Sequence, residues 1–222
     1  MKNAVIVQTE EQLLFQIEDG GAVPTSPLQM QIRMINNLTA KNAYKKWHYL
    51  KDQDFIGMYN FGAYYDGLLG GAISFGPPSA EETIQGLFGH KDQNGYFEIK
   101  RLAMNDNWPK NSESRFISVS LKLLNKMTEV KGIITYADTS VGHTGTIYKA
   151  TGFKYKGLTS PKKDYWVMGK IQQRGKIRGN GEWRERSQKH LFYKLINSRE
   201  KEVKSQSYDR SEVTRKLSLM ET

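Results

Sequence analysis

The chain of 222 residues contains no cysteine. Disulfide-stabilised secreted scaffolds, thiolate metal sites and cysteine nucleophiles are therefore excluded. The chain also has no run of 18 apolar residues, and its first residues lack the basic start and the apolar stretch of a signal peptide. These absences predict a soluble protein of the cytoplasm.

Several well-known catalytic motifs are missing as well. There is no P-loop, no Rossmann glycine motif, no G-x-S-x-G elbow and no H-E-x-x-H pair. The one Pro-Pro pair, Pro77 and Pro78, follows a glycine, so the motif of ordinary adenine methyltransferases, Asp or Asn followed by Pro-Pro and an aromatic residue, is absent. Common nucleotide-dependent, serine-hydrolase and methylase mechanisms are therefore disfavoured.

Positive charge is plentiful and unevenly placed. Lysine and arginine number 33 against 23 acidic residues, and from residue 172 onward there are 13 basic and seven acidic residues. A basic segment favours binding to nucleic acid by neutralising phosphates, although it can also serve solubility alone. We predict three parts: a lead-in over residues 1–27, one catalytic domain over residues 28–171, and a basic C-terminal extension over residues 172–222.

The hydrophobic patterns predict a mixed α/β sheet with helices on both faces, because strand and helix periods alternate along the chain. The expected elements are strands at 28–35, 61–75 (a hairpin that turns at Tyr65, Asp66 and Gly67), 96–104 and 132–136, helices at 39–50, 111–128 and 144–151, and a final strand pair of 153–155 with 165–169. Thr39 is expected to cap the first helix, and residues 79–95 to form an inserted loop.

The C-terminal extension is expected to have two parts. Residues 172–180 carry Arg174, Lys176 and Arg178 among glycines, which suits a flexible linker that follows a DNA backbone. Residues 182–197 mix apolar residues with basic ones such as Arg184 and Arg186, which favours a helix. That helix either faces phosphates or packs back on the core.

Two segments resemble the GCN5-related (GNAT) acetyltransferase fold. Gly145, Tyr148, Gly152 and Phe153 resemble its closing L-Y-x-x-x-G-F signature, and residues 97–102, a loop and a long helix resemble its cofactor-binding unit. The resemblance covers roughly residues 28–170 and implies a V-shaped opening between two parallel strands for acetyl-coenzyme A. Two departures matter: the loop over residues 108–115 has no glycine, and Val141 replaces the usual asparagine.

With these departures, the order of motifs is similar to the phage Mu Mom family of DNA-modification proteins. The motifs are Trp47-His48-Tyr49-Leu50, Glu98-Ile99-Lys100-Arg101-Leu102, Ser112-Glu113-Ser114, Tyr136-Ala137-Asp138 and Gly142-His143-Thr144-Gly145-Thr146-Ile147-Tyr148. The resemblance implies addition of a carbamoylmethyl group to N6 of adenine in double-stranded DNA, which shields phage DNA from restriction. The expected location is then the cytoplasm of the host.

Candidate site residues follow from these motifs. Tyr148 is expected to donate a proton or to hold the amine, and Asp138 to accept from adenine N6 or to cap the segment after it. His48 is a candidate base, and Arg101 a clamp for a phosphate or carboxylate unless it pairs with Glu98 or Asp138. Ser114 is a further catalytic candidate, and Leu102, Ser112 and Ser114 with Arg101 are candidates for the cofactor. The alternative for Ser112 and Ser114 is to cap the long helix, a role that can coexist with anion binding. Trp47, Tyr49, Tyr64 and Tyr65 are the candidates for stacking on the base.

Cofactor, metal and assembly stay open at this point. The donor is acetyl-coenzyme A or another small-group donor, and His48, His143 and Asp138 are the residues that could assemble an iron or zinc site. Oligomeric state is not encoded in any motif, a dimer being one alternative, and no membrane partner is expected. The alternatives to DNA modification are N-acetylation of a small amine or protein, and a non-catalytic DNA-binding module.

Overall fold

The computed structural model of the chain describes residues 23–50, 55–172 and 179–197. Short 3-10 helices lie at Pro27–Gln29 and Thr139–Val141. The helices are α1 (Asn37–Trp47), α2 (Glu81–Phe88), α3 (Ser112–Met127) and α4 (Thr146–Ala150). The strands are β1 (Gln31–Met34), β2 (Tyr59–Tyr65), β3 (Leu68–Gly76), β4 (Tyr96–Met104), β5 (Gly132–Asp138), β6 (Lys154–Leu158), β7 (Lys162–Val167), β8 (Lys170–Ile171), β9 (Glu182–Arg186) and β10 (Lys189–Leu195).

Seven strands form the main sheet in the order β1-β2-β3-β4-β5-β10-β6. Neighbouring strands are antiparallel except for β4 and β5, which run parallel. Strands β8, β7 and β9 form a second, smaller sheet, which we call the outer sheet. The large mixed sheet with flanking helices confirms the predicted mixed α/β fold class.

Helices cover both faces of the main sheet. On one face Phe116 and Leu124 of α3 pack with Phe61, Ile73 and Ile133 of the strands. Alternate strand residues point the other way, where α1 and α2 bury their apolar sides in two further clusters. The two-sided burial is what a mixed sheet with crossover helices requires.

Local sequence signals account for several of these elements. The hairpin between β2 and β3 turns at Asp66 and Gly67, whose φ angles of 49° and 77° suit an Asp-Gly pair and confirm the prediction. Helix α1, by contrast, begins two residues before its predicted start and ends three residues before its predicted end. The Asn36 side chain accepts a hydrogen bond from the Thr39 amide at 2.8 Å, so Asn36 is the N-cap and Thr39 lies inside the helix.

The segment over residues 79–95 is not simply a loop, because it contains α2. Gly86 lies within the helix and Gly89 ends it with a φ of 84°, so the glycines that suggested a loop are a helical residue and a C-cap. Burial of Ile84, Leu87 and Phe88 against the sheet stabilises α2 despite Gly86.

The C-terminal predictions were also wrong in part. Residues 182–197 form strands β9 and β10 rather than a helix, and β10 inserts between β5 and β6 of the main sheet. The predicted pairing of 153–155 with 165–169 is absent too, since β6 pairs with β10 whereas β7 pairs with β8 and β9. Part of the predicted extension is therefore an interior strand of the main sheet.

Strands β4 and β5 separate after a short parallel stretch. Their pairing covers Tyr96 to Glu98 of β4 and ends there, although both strands continue. On the other side of β4 the register with β3 shifts, so Lys100 is the extra residue of a β-bulge. A bulge bends its strand, and the two carboxyl-terminal halves diverge to leave a cleft. In the part of the chain that the structure describes, no helix is long and apolar enough to cross a membrane.

Candidate active site

The cleft between the diverging halves of β4 and β5 has a volume of about 520 Å³. Its walls are β4, β5, the end of α1, and the segment that leads into α4. This edge of an open α/β sheet is where such folds place their ligands. The predicted site residues that line the cleft are Trp47, His48, Tyr49, Arg101, Leu102, Asp138, His143 and Tyr148.

The end of α1 brings three consecutive side chains to the cleft. Consecutive residues diverge on a helix, but α1 ends at Trp47, and His48 has the extended backbone of a C-cap (φ −94°, ψ 140°). The rings of His48 and Tyr49 stack with centroids 4.5 Å apart, and the His143 ring meets Tyr49 edge-on at 5.4 Å. An aromatic wall therefore borders one side of the cleft.

His48 is neutral at physiological pH. Burial, with the Arg101 and His143 charges, lowers the pKa of His48 to about 4. The Leu50 amide donates to its Nδ1 at 3.0 Å, so the proton of the neutral ring lies on Nε2. His48 is thus a hydrogen-bond donor toward a ligand and a poor base at neutral pH.

Tyr148 lies on α4 at the inner end of the cleft. Its ring packs against Phe153 and Phe192, and burial raises the pKa of its phenol. Gly145 precedes α4 with a φ of 71°, and a Cβ there would lie 2.2 Å from the Phe192 ring. The glycine of the motif therefore allows α4 to approach β10 and fixes the position of Tyr148, which remains protonated at neutral pH.

Asp138 ends β5 as a carboxylate. Burial opposes its ionisation, but hydrogen bonds from Ser140 and Ser187 and the Lys189 charge together hold the pKa of Asp138 below its usual value. Its Oδ1 accepts from the Ser140 amide at 2.9 Å, which is the capping role considered from the sequence. Its Oδ2 lies 3.6 Å from Lys189 Nζ and remains the oxygen suited to a ligand.

Tyr64 and Tyr65, predicted to stack on the base, do not line the cleft. They lie on β2, two strands away from β4, and Tyr64 is buried under α1 with the Arg33 guanidinium 3.8 Å from its ring centre. Tyr65 packs beside the main core. Strand order separates these rings from the cleft, and no local pattern shows strand order.

Ser112 and Ser114 do not line the cleft either. Ser112 Oγ is buried and donates to the Pro109 carbonyl at 2.6 Å, while Asn111 holds the N-cap position of α3 with a φ of 72°. At this end of the cleft the side chains are the carboxylates of Glu113 and Asp106. Two carboxylates and a glycine-free loop do not fit the pyrophosphate of coenzyme A, because like charges repel.

The basic residues of the C-terminal region lie away from the cleft or outside the described residues. Arg174, Lys176 and Arg178 fall outside them. Arg184 and Arg186 lie exposed on β9 of the outer sheet. Among residues 23–50, 55–172 and 179–197, the structure brings no three histidine or acidic side chains into a group that could hold a metal ion, and this includes His48, His143 and Asp138.

Comparison with known proteins decides the family. A model of the Mom protein family matches residues 29–210, which is most of the chain. The chain belongs to the Mom protein family. It is 26% identical over 129 residues to the methylcarbamoylase mom of Escherichia phage Mu, and the match covers 58% of this chain and 48% of that protein. The aligned part is thus about half the length of that relative.

Solved acetyltransferase structures are similar to this Mom family chain. An N-acetyltransferase from Staphylococcus aureus is 14% identical with a TM-score of 0.45, over 76% of this chain and 99% of that one. The ribosomal-protein-S5-alanine acetyltransferase from Vibrio fischeri is 12% identical with a TM-score of 0.49, over 77% and 94% of the two chains.

The Mom family site also contains an ion pair that sequence reasoning missed. Glu98 and Lys100, both nearly buried in the cleft wall, lie 3.1 Å apart. Glu98 also accepts from the Ser79 amide at 2.8 Å. The sequence considered Glu98 and Asp138 only as partners of Arg101, whereas in the structure Glu98 pairs with Lys100 and Asp138 lies beside Lys189. The sequence signal for this ion pair was the spacing of Glu98 and Lys100, which lie two residues apart on one strand.

Proposed function

We propose that this Mom family protein transfers a carbamoylmethyl group to the exocyclic N6 of adenine in double-stranded DNA. The name of the phage Mu relative, methylcarbamoylase, supports the transferred group. Family membership supports DNA as the substrate, through the resemblance of the motifs to DNA-modification proteins. The cleft supplies the chemical argument for adenine.

The observation that carries this proposal is that the cleft contains both a neutral hydrogen-bond donor, His48, and a carboxylate acceptor, Asp138, together with aromatic rings. Adenine presents the N6 amino donor next to ring-nitrogen acceptors. Asp138 Oδ2 accepts from N6, and the protonated Nε2 of His48 donates to a ring nitrogen. Tyr49 provides a ring face, and the volume of about 520 Å³ holds one base with a small donor group.

The target adenine must leave the double helix to enter the cleft. Enzymes that modify a base atom inside a duplex flip the nucleotide out, at a cost of a few kcal/mol. Stacking on Trp47 or Tyr49 offsets part of that cost, since base stacking on an aromatic side chain contributes about 1–3 kcal/mol. Both rings border the cleft opening formed by the end of α1.

In the transfer step, N6 attacks the methylene carbon of an activated carbamoylmethyl donor. A new N–C bond forms while the bond to the leaving group breaks, and the leaving group takes the bonding electron pair. Tyr148, whose phenol is protonated, donates its proton to that group and is reprotonated from solvent. N6 loses one proton to solvent past the Asp138 carboxylate. The carboxylates of Asp106 and Glu113 do not fit the pyrophosphate of coenzyme A, so this step assigns coenzyme A no role.

Mass spectrometry of nucleosides from plasmid DNA tests the proposal. Cells expressing the chain are compared with cells carrying the empty vector. We expect deoxyadenosine heavier by one carbamoylmethyl unit only in the first sample, together with resistance of that DNA to restriction enzymes. Unmodified DNA in both samples would contradict the proposal. Tight acetyl-coenzyme A binding without DNA binding would instead favour an N-acetyltransferase, and DNA binding without a modified base a binding module.

A further inference from the structure

The outer sheet has almost no core of its own. Strand β9 is exposed along all five residues, and β8 along both of its residues. None of the buried hydrophobic residues among the described parts of the chain belongs to β7, β8 or β9. A three-stranded sheet ordinarily needs a buried apolar face to be stable. An outer sheet that buries so little against the rest of the chain is suited to contact a partner.

The outer sheet continues a two-stranded ribbon from the main sheet. β6 and β10 pair in the main sheet, and the same two chain segments pair again as β7 and β9. Pro161 lies at the break, where it cannot donate to the ladder. On the other segment the Gln188 carbonyl accepts from Thr139 Oγ1 at 2.7 Å, and Lys189 lies in the cleft beside Asp138. The outer sheet therefore extends from the rim of the cleft.

One side of the outer sheet carries an exposed aromatic pair between lysines. Tyr165 and Trp183 are register partners with ring centroids 5.1 Å apart, and Trp183 is 56% exposed. Alternation along the strands places Lys163 and Lys170 on the same side. We call this set of four residues the Trp183 face. Glu185, the register partner of Lys163, is the carboxylate on this side.

The opposite side of the outer sheet has its two arginines engaged with carboxylates, and Lys162, the register partner of Arg186, lies on that side as well. Arg184 pairs with Glu182, and Arg186 lies 3.7 Å from Asp164. Lys163 and Lys170 form no such ion pair within the part of the chain that the structure describes. The Trp183 face thus combines accessible positive charge with accessible aromatic surface.

We propose that the Trp183 face binds the DNA next to the flipped adenine, with the lysines on phosphates and Trp183 against bases or sugars. This inference rests on the proposed function. Aromatic rings with flanking cations bind single-stranded nucleic acid without reading its sequence, and lysines neutralise duplex phosphates in the same sequence-independent way. The six residues of β7 span about 17 Å, which matches about five base pairs at 3.4 Å each. The outer sheet therefore contacts the duplex flank rather than the target base.

Removal of the Trp183 ring is the first test. Fluorescence anisotropy with a short labelled duplex compares the wild type with Trp183→Ala, Trp183→Phe and Leu38→Ala. Leu38 is a matched control because it is 66% exposed on α1, outside the outer sheet and the cleft. We expect about tenfold weaker binding for Trp183→Ala, and near wild-type binding for Trp183→Phe and Leu38→Ala. Equal affinity of Trp183→Ala and wild type would overturn the proposal.

The lysines are tested by the salt dependence of binding. Each phosphate contact contributes about 0.9 to the slope of log affinity against log salt. We expect Lys163→Gln with Lys170→Gln to lower that slope by about two. The matched control is Lys122→Gln with Lys126→Gln on the exposed side of α3, which we expect to leave the slope unchanged. A slope that changes equally in both double variants would contradict a specific role of the Trp183 face.

These results are separable from those of the proposed function. If the wild type modifies DNA but the outer-sheet variants bind it as tightly as the wild type, the function stands and this inference fails. If the wild type binds DNA through Trp183 without modifying it, the inference stands and the reaction fails. A dimer in sedimentation that Trp183→Ala dissociates, with unchanged DNA affinity, would assign the face to self-association and overturn the proposal.

Discussion

A histidine in this cleft behaves differently from a free one. Burial, with the Arg101 charge nearby, keeps His48 neutral, and the Leu50 amide selects the tautomer with the proton on Nε2. The base role suggested by its usual pKa near 6.5 gives way to a donor role. The sequence shows that a histidine is present, but only the three-dimensional surroundings set its charge.

The lowered pKa of His48 predicts a pH dependence of stability. The unfolded chain protonates this histidine as pH falls through 6.5, whereas the folded chain does so only near pH 4. The contribution of the buried neutral His48 to the free energy of unfolding is therefore full above pH 6.5. It is lost as pH falls toward 4, by up to about 1.4 kcal/mol per pH unit. We expect urea unfolding to show that the free energy of unfolding falls less between pH 7 and pH 4.5 for His48→Gln than for the wild type.

Nuclear magnetic resonance titration of the His48 ring checks the same point directly. We expect its ring protons to titrate near pH 4, with the assignment made from the signal missing in His48→Gln. A titration near pH 6.5 would contradict the neutral-donor role and would return His48 to the role of a base.

Single residues differed in how far the sequence could predict them. Tyr148 was predictable because its motif fixes both the helix and the glycine that places it, and it lines the cleft as expected. Tyr64 and Tyr65 were not, because their distance from the cleft depends on strand order. Ser112 does not line the cleft, because its hydroxyl donates to the Pro109 carbonyl. Motif residues were predicted better than residues chosen by type.

At the scale of elements, the loop before α3 is held against strand β3 by the ring of Trp108. The Trp108 ring packs directly over Gly70 of β3, where a Cβ would lie 2.0 Å from the ring. Gly70 is therefore required by space. Gly86 in α2 is the opposite case, because a Cβ there meets nothing within 4 Å.

These two glycines give a matched prediction. We expect Gly70→Ala to destabilise the fold by about 1–3 kcal/mol, since the added methyl group displaces Trp108. Gly86→Ala is expected to stabilise it by about 0.5–1 kcal/mol, because alanine favours an exposed helical position. Urea unfolding of the two variants and the wild type measures both effects. A neutral Gly70→Ala variant would show that the loop is not packed against β3 as described.

Elements with a local signature were predicted well, and elements that depend on distant contacts were not. The bounds of β4 and α3 agree with their patterns because alternation and an apolar stripe determine them locally. β10 was taken for a helix because a strand buried on both faces shows no period of two. Phe192 and Tyr193 face opposite cores. Its insertion between β5 and β6 depends on the whole sheet.

At the scale of the whole molecule, one ribbon links the cleft and the outer sheet. β10 pairs with β5 in full register up to Asp138, and the same segment leads back to β9. The order of strands therefore places the candidate active site and a candidate DNA surface side by side. The sequence predicted a basic region near the C-terminus with nucleic acid as one partner, but not that it joins the sheet beside the cleft.

The central claim is that adenine is modified in the cleft between β4 and β5. The most direct measurement quantifies modified deoxyadenosine by mass spectrometry in plasmid DNA from cells expressing wild type, Tyr148→Phe or Tyr155→Phe, with duplex affinity measured on the same proteins. Tyr155 is the matched control because its hydroxyl bonds His190 on β10, outside the cleft. We predict that Tyr148→Phe abolishes the modified base and keeps wild-type affinity, while Tyr155→Phe keeps both. Undiminished modification by Tyr148→Phe would contradict the claim.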